Sequence, residues 1–119
     1  MKLFLKSLQN AFRGIFEALK EERNMKIHAC FVLIVSFLGF LLHISLSEWL
    51  WCLLCFAVVI SMEIMNTAVE NLVDLVEPEF NDLAGKVKDM AAGAVLINAL
   101  FSIMIGLIIF LPKIMLLFL

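Results

Sequence analysis

Four polar residues interrupt an apolar stretch and could do chemistry together: Glu63, Asn66, Glu70 and Asp74. They stand at i, i+3, i+7 and i+11, so a helix sets them within roughly 80° of one another, in a row along one face. Trp49 to Met62, just upstream, is almost unbroken apolar sequence, so the row continues a membrane-spanning helix. Such helices rarely carry ionisable groups, and those present usually face an interior site or a wet cavity. A row of acids therefore asks for a cationic partner: a metal ion, a Lys or Arg from elsewhere, or mobile protons. Carboxylate oxygens suit a hard cation such as Mg²⁺, which is commonly held by one or two carboxylates plus substrate phosphates. Phosphoryl transfer needs mainly positioning and charge neutralisation. Two glutamates on a metal, one lysine on phosphate and one carboxylate as base would suffice. Glu63 is the natural base. It lies about 10 Å deeper along the helix than Glu70, where a lipid hydroxyl could reach it. A poorly solvated carboxylate is the kind suited to that task.

The elements that position these residues follow from composition and periodicity. The chain has 119 residues, 64% hydrophobic and only 17% charged, too apolar for an ordinary soluble domain. It reads as one small all-α membrane domain over residues 1–119. In residues 1–24, Phe4, Leu8, Phe12, Ile15 and Leu19 recur at helical spacing, with Lys2, Lys6, Arg13, Glu17 and Lys20 mostly between them. An amphipathic surface helix is expected there, or a helix facing a protein partner. Glu21 to Lys26 is a charged hinge. Three transmembrane helices are expected at 27–47, 48–76 and 90–112, each near or above the ~20 residues a bilayer needs. The polar run His43–Glu48 divides the first two. Glu77–Lys86 reads as the second loop, closed by Lys88 and Asp89, and Pro112 is expected to end the last span. His28, at the hinge, reads as a satisfied interface residue. Asn98 and Ser102 read as glue between helices. Cys52 and Cys55 have a redox or zinc spacing with no second pair or His beside it, so they read as packing.

Six basic residues precede the first span, none lies in the first loop, and Lys86 and Lys88 flank the second. The positive-inside rule places the N-terminus and second loop in the cytoplasm. Glu22, Glu70, Asp74, Lys88 and Asp89 then share one cytoplasmic membrane surface, where ATP is available. A net charge of −2 gives no reason to expect a nucleic-acid partner. The five glycines are too scattered for a phosphate loop, and there is no Walker or protein-kinase signature. A small proton- or cation-coupled transporter would explain Glu63, but not the acids gathered outside the hydrocarbon. A structural assembly protein would pair its charges, yet seven acids face two lysines between Glu63 and Asp89.

Two motifs carry a family resemblance. Glu63-x-x-Asn66-Thr67-Ala68-Val69-Glu70-x-x-Val73-Asp74 and Leu83-Ala84-Gly85-x-x-Lys88-Asp89-x-Ala91-Ala92-Gly93-Ala94-Val95 closely resemble the bacterial integral-membrane diacylglycerol kinase/undecaprenol kinase family. The resemblance covers nearly the whole chain. The segments Glu22–His28 and Gly106–Lys113 are similar to the Gram-positive undecaprenol kinase branch; the Gram-negative diacylglycerol kinases carry a Glu where His28 stands. The resemblance implies ATP- and Mg²⁺-dependent phosphorylation of a lipid alcohol at the plasma membrane, undecaprenol ahead of diacylglycerol. It implies Glu63 as base, Asn66 orienting the reacting groups, and Glu22 and Glu70 holding Mg²⁺ against the ATP phosphates. It implies Lys88 on phosphate, Asp89 supporting the nucleotide, and Glu79 and Asn81 in a covering loop with Asn10 nearby. Asp74 either binds or anchors that loop. Family members are homotrimers with sites between protomers.

Overall fold

A computed structural model describes residues 1–119 as four helices: α1 (Lys2–Glu21), α2 (Arg23–Leu41), α3 (Leu46–Val76) and α4 (Asp82–Phe118). Helices α2, α3 and α4 are each long and apolar enough to cross a membrane. The hinge is a single residue. Glu22 takes an extended backbone (φ −100°, ψ 123°), ending α1 and starting α2. Helix α1 leaves most of its apolar side chains bare, with Phe4, Phe12 and Phe16 all more than 60% exposed. Only Ala18, one turn before the hinge, is buried in it.

The turn between α2 and α3 is narrower than His43–Glu48, and Leu46 and Ser47 already belong to α3. Helix α2 closes with the Ile44 N–H donating to Gly39 O (3.2 Å) and His43 N–H to Phe40 O (3.4 Å), a Schellman arrangement. His43 takes the left-handed conformation this requires (φ 51°). Gly39 is required by packing: a Cβ there would come within 2.7 Å of the Trp49 ring. Ser45 and Glu48 cap α3 reciprocally, Glu48 N–H to Ser45 Oγ at 3.2 Å and Ser45 N–H to Glu48 Oε2 at 2.9 Å.

Two expectations about α4 fail. The second loop is residues 77–81 only, because the Asn81 side chain accepts from Leu83 N–H (2.9 Å) and Ala84 N–H (3.2 Å) and starts the helix at once. Asp82 in the first turn suits the helix dipole. Nor does Pro112 end the last span, since α4 runs through it to Phe118. Proline costs the Ile108 carbonyl its usual donor, but in hydrocarbon the flanking apolar residues have no better way to satisfy their backbone than to stay helical. At 37 residues α4 is about 55 Å long, matching the 56 Å long axis of the molecule. Lys113 is thereby carried to the start of α3, where its Nζ donates to Glu48 Oε1 at 2.9 Å.

Helices α2 and α4 each pack on α3 but not on each other. The packed core is small and lies at the Ser45 end: Ile44, Cys52, Ile109 and Phe110, joined by Trp49, Phe56 and Ile105. An apolar cavity lies between α2, α3 and α4. Only ten residues of the chain are buried, and three of them are polar: Glu63, Asn66 and Thr67.

Candidate active site

Glu63 is 2% exposed. It projects from α3 toward α2, where its Oε2 meets His28 Nε2 at 3.4 Å. Sequence reading did not pair these two. Periodicity shows which residues share a face of one helix, and says nothing of which residue on the next helix stands level with it. The usable signal was depth, since His28 lies just inside the hinge and Glu63 near the end of its span. Thr67, one turn on, ties its hydroxyl to the Glu63 backbone carbonyl (3.0 Å).

Asn66 donates from Nδ2 to Glu70 Oε1 at 3.4 Å. A carboxylate only accepts, which fixes the amide orientation and leaves Asn66 Oδ1 buried with no partner. Buried acceptors are seldom left so, and a substrate hydroxyl carries the donor this one lacks. Within the chain Asn98 bonds its own helix, its Nδ2 donating to Ala94 O at 3.1 Å.

Because His28 and Glu63 are level, the rest of the site can be placed by rise. Seven residues beyond Glu63 along α3, about 10 Å, stands Glu70; six residues back along α2, about 9 Å, stands Glu22. The two carboxylates therefore occupy one level at the α1 end of the bundle. Both are half-buried, and neither has a cationic partner among the chain's three ion pairs. The Glu22 side chain caps nothing although Glu22 is the N-cap of α2. Two carboxylates without a cationic partner, both oxygen donors, fit a hard divalent cation completed by phosphate oxygens and water. No group of three or more His, Cys, Asp or Glu assembles anywhere in the chain, so such an ion would take the rest of its ligands from outside it.

Lys88 rides on the second turn of α4 and donates to Asp74 Oδ1 at 2.5 Å, tying α4 to the far end of α3. Asp89 is exposed beside it. Glu79 is exposed in the loop, Asn81 is engaged as the α4 cap, and Asn10 lies exposed on α1.

Behind His28 lies a cavity of about 380 Å³ between α2, α3 and α4. Its walls include Val32, Phe56, Ile60 and Leu107, and His28 and Ser102 are its few polar groups. Phe31, Ile103 and Leu107 on its lining are each more than half exposed. An alkyl or isoprenoid chain fits such walls. Cys52 and Cys55, both free thiols, also line it, which agrees with their reading as packing residues.

Three helices long and apolar enough to cross a membrane, a buried acid in contact with a histidine that lines an apolar cavity, and acids and a lysine at the helix ends suit an enzyme that works on membrane lipid. Comparison with known proteins makes the class specific. The sequence profile of the prokaryotic diacylglycerol kinases matches residues 9–110. The chain is 44% identical over 110 residues to the undecaprenol kinase of Bacillus subtilis, covering 92% of this chain and 89% of that protein. It is 34% identical over 112 residues to a diacylglycerol kinase of Synechocystis, covering 93% of this chain and 64% of that protein. A diacylglycerol kinase of Helicobacter pylori is 35% identical over 101 residues, 84% of this chain and 78% of that protein. The chain belongs to the prokaryotic diacylglycerol kinase family. It is a multi-pass membrane lipid kinase, with ATP the phosphoryl donor its family implies.

Proposed function

We propose that the protein phosphorylates undecaprenol, with Glu63 as general base. The observation that carries the mechanism is Glu63 itself, buried at 2% exposure and in contact with His28, which lines the cavity. The lipid chain occupies the cavity, so that its hydroxyl meets Glu63 and the unpartnered Asn66 Oδ1. Glu63 takes the hydroxyl proton, the hydroxyl oxygen bonds to the γ-phosphorus of ATP, and the bond from that phosphorus to the bridging oxygen breaks. ADP leaves with the electron pair, and undecaprenyl phosphate remains. Glu22 and Glu70 hold Mg²⁺, which when bound neutralises phosphate charge. Lys88 contacts phosphate, and Asp89, Glu79, Asn81 and Asn10 surround the nucleotide.

The choice of lipid rests on likeness to the Bacillus subtilis enzyme. It is tested by comparing undecaprenol and diacylglycerol with pure protein in one detergent. A higher kcat/KM is expected for undecaprenol, and the reverse order identifies a diacylglycerol kinase.

The site faces the cytoplasm, with α1 lying among the headgroups, its lysines near phosphate and its bare phenylalanines in the acyl region. A cysteine probe at Ser45 should react from outside the cell and one at Asn81 should not; the opposite pattern places the site on the wrong side for ATP. The cavity between α2, α3 and α4 is closed by neighbouring protomers of a homotrimer. Native mass spectrometry should count three chains, and one or two would remove that closure.

Lys88 cannot serve phosphate while it holds Asp74. The pair is 37% and 60% exposed, and an exposed pair is worth about 0.2–1 kcal/mol, which a phosphate readily displaces. Asp74→Asn should therefore lower KM for ATP by up to about fivefold, the factor that 1 kcal/mol allows. A raised KM would instead make Asp74 a nucleotide-binding residue.

A further inference from the structure

His28 stands in the site without a task in the chemistry above. It is the only ionisable side chain on α2 between Lys26 and Cys30, and of the chain's three ion-pair contacts only this one reaches Glu63. Its side chain is 20% exposed against 2% for Glu63, so it closes the glutamate off from the surroundings. Around it, α4 contributes Ala99 and Ser102 to the cavity and nothing ionisable. From α3 the ionisable lining groups are Cys55 and Cys52, eight and eleven residues from Glu63 and so about 12 and 16 Å away along the axis. No carboxylate, lysine or arginine other than Glu63 lies within ion-pair distance of the imidazole.

A buried carboxylate that must take a proton from an incoming hydroxyl has two needs. One oxygen has to be held, or the group turns freely about its terminal bond. Its charge has to survive, because the proton must still be drawn to it. A neutral donor meets both needs, whereas a lysine or arginine in the same place would pair with the charge. Neutral imidazole with its proton on Nε2 is such a donor.

We propose that His28 is a positioning residue for Glu63, its Nε2–H holding Oε2 so that the second carboxylate oxygen is presented to the lipid hydroxyl. The assignment rests on Glu63 as base, and the test separates the two. Kinetics are measured on His28→Ala, His28→Gln, Glu63→Gln and the double variant His28→Ala/Glu63→Gln, each first shown to bind ATP as wild type does. His28→Ala should lose about 10–100-fold in kcat, the range for removing a hydrogen bond to a charged group, with KM for ATP unchanged. His28→Gln offers an uncharged N–H at a similar reach and should recover most of that loss. In the Glu63→Gln background His28→Ala should cost no further activity, because a residue that acts through Glu63 has nothing left to position.

Wild-type kcat in His28→Ala overturns the inference and leaves Glu63 as base. Equal losses in His28→Gln and His28→Ala overturn it too, since the donor then does not matter. So does a loss in His28→Ala that adds fully to that of Glu63→Gln. Near-normal kcat in Glu63→Gln overturns the reading of Glu63 itself.

Discussion

Glu63→Gln should fold, insert and bind Mg²⁺-ATP as the wild type does while kcat falls about 10²–10⁴-fold, the contribution of general base catalysis. Glutamine keeps the size of the side chain and a carbonyl oxygen that can face His28. What it loses is the capacity to take a proton. The nucleotide should not feel the change: Glu63 lies about 10 Å from the level of Glu70 and Glu22, and Mg²⁺–oxygen distances of about 2.1 Å keep one ion from reaching both levels. Burial at 2% exposure makes a purely structural role the serious rival, since buried charges that lose their partner destabilise a fold. The two roles separate cleanly. A structural glutamate replaced by glutamine would lose thermal stability and nucleotide binding in step with activity, whereas a base loses kcat alone. Equilibrium ATP binding and single-turnover phosphorylation on one preparation distinguish them.

How far the site was legible in the sequence depended on whether a residue's partner lay on its own helix. The row Glu63, Asn66, Glu70 and Asp74 was plain from spacing, because 3.6-residue periodicity aligns residues within one helix. Burial of Glu63 followed from the apolar residues around it. The contact with His28 did not, because a level shared by two antiparallel helices depends on the length of the turn joining them. That turn is shorter than its polar composition suggested, since Ser45 and Glu48 spend their polarity on capping α3. The second loop misled for the same reason. Asn81 and Asp82 looked like loop residues but serve as cap and first turn of α4, which puts Lys88 on a helix and within reach of Asp74. Pro112 misled because its cost, a single lost backbone bond, is small beside the cost of unwinding an apolar segment in hydrocarbon. The match of residues 9–110 to a family profile agrees with the motifs that carried the resemblance.

Replacing either Glu22 or Glu70 by Gln should weaken Mg²⁺-ATP binding by at least about 10–100-fold, the loss that even outer partners of a metal site inflict when changed. The two residues come from different elements and from unlike backbones. Glu70 sits in the middle of a regular turn of α3, whereas Glu22 occupies the extended residue that separates α1 from α2. At that break the Glu22 side chain makes no hydrogen bond to the α2 N-terminus, where an acid would ordinarily be expected to cap or to face the dipole. Neither carboxylate has a basic partner to lose, and both are half-exposed, so their replacement strands no buried charge and should leave thermal stability within about 0.5 kcal/mol of wild type. The affinity loss should appear only with the metal. Calorimetric titration with ATP in Mg²⁺ should show it for both variants, and titration in the presence of a chelator should reduce wild type and variants to the same weak binding. With one ion held by both carboxylates, as proposed, the double variant should be little worse than either single one. Wild-type affinity in Glu22→Gln would leave Glu70 as the sole carboxylate on the metal. Additive losses in the double variant would mean two separate roles, with Glu22 serving the hinge and Glu70 the nucleotide.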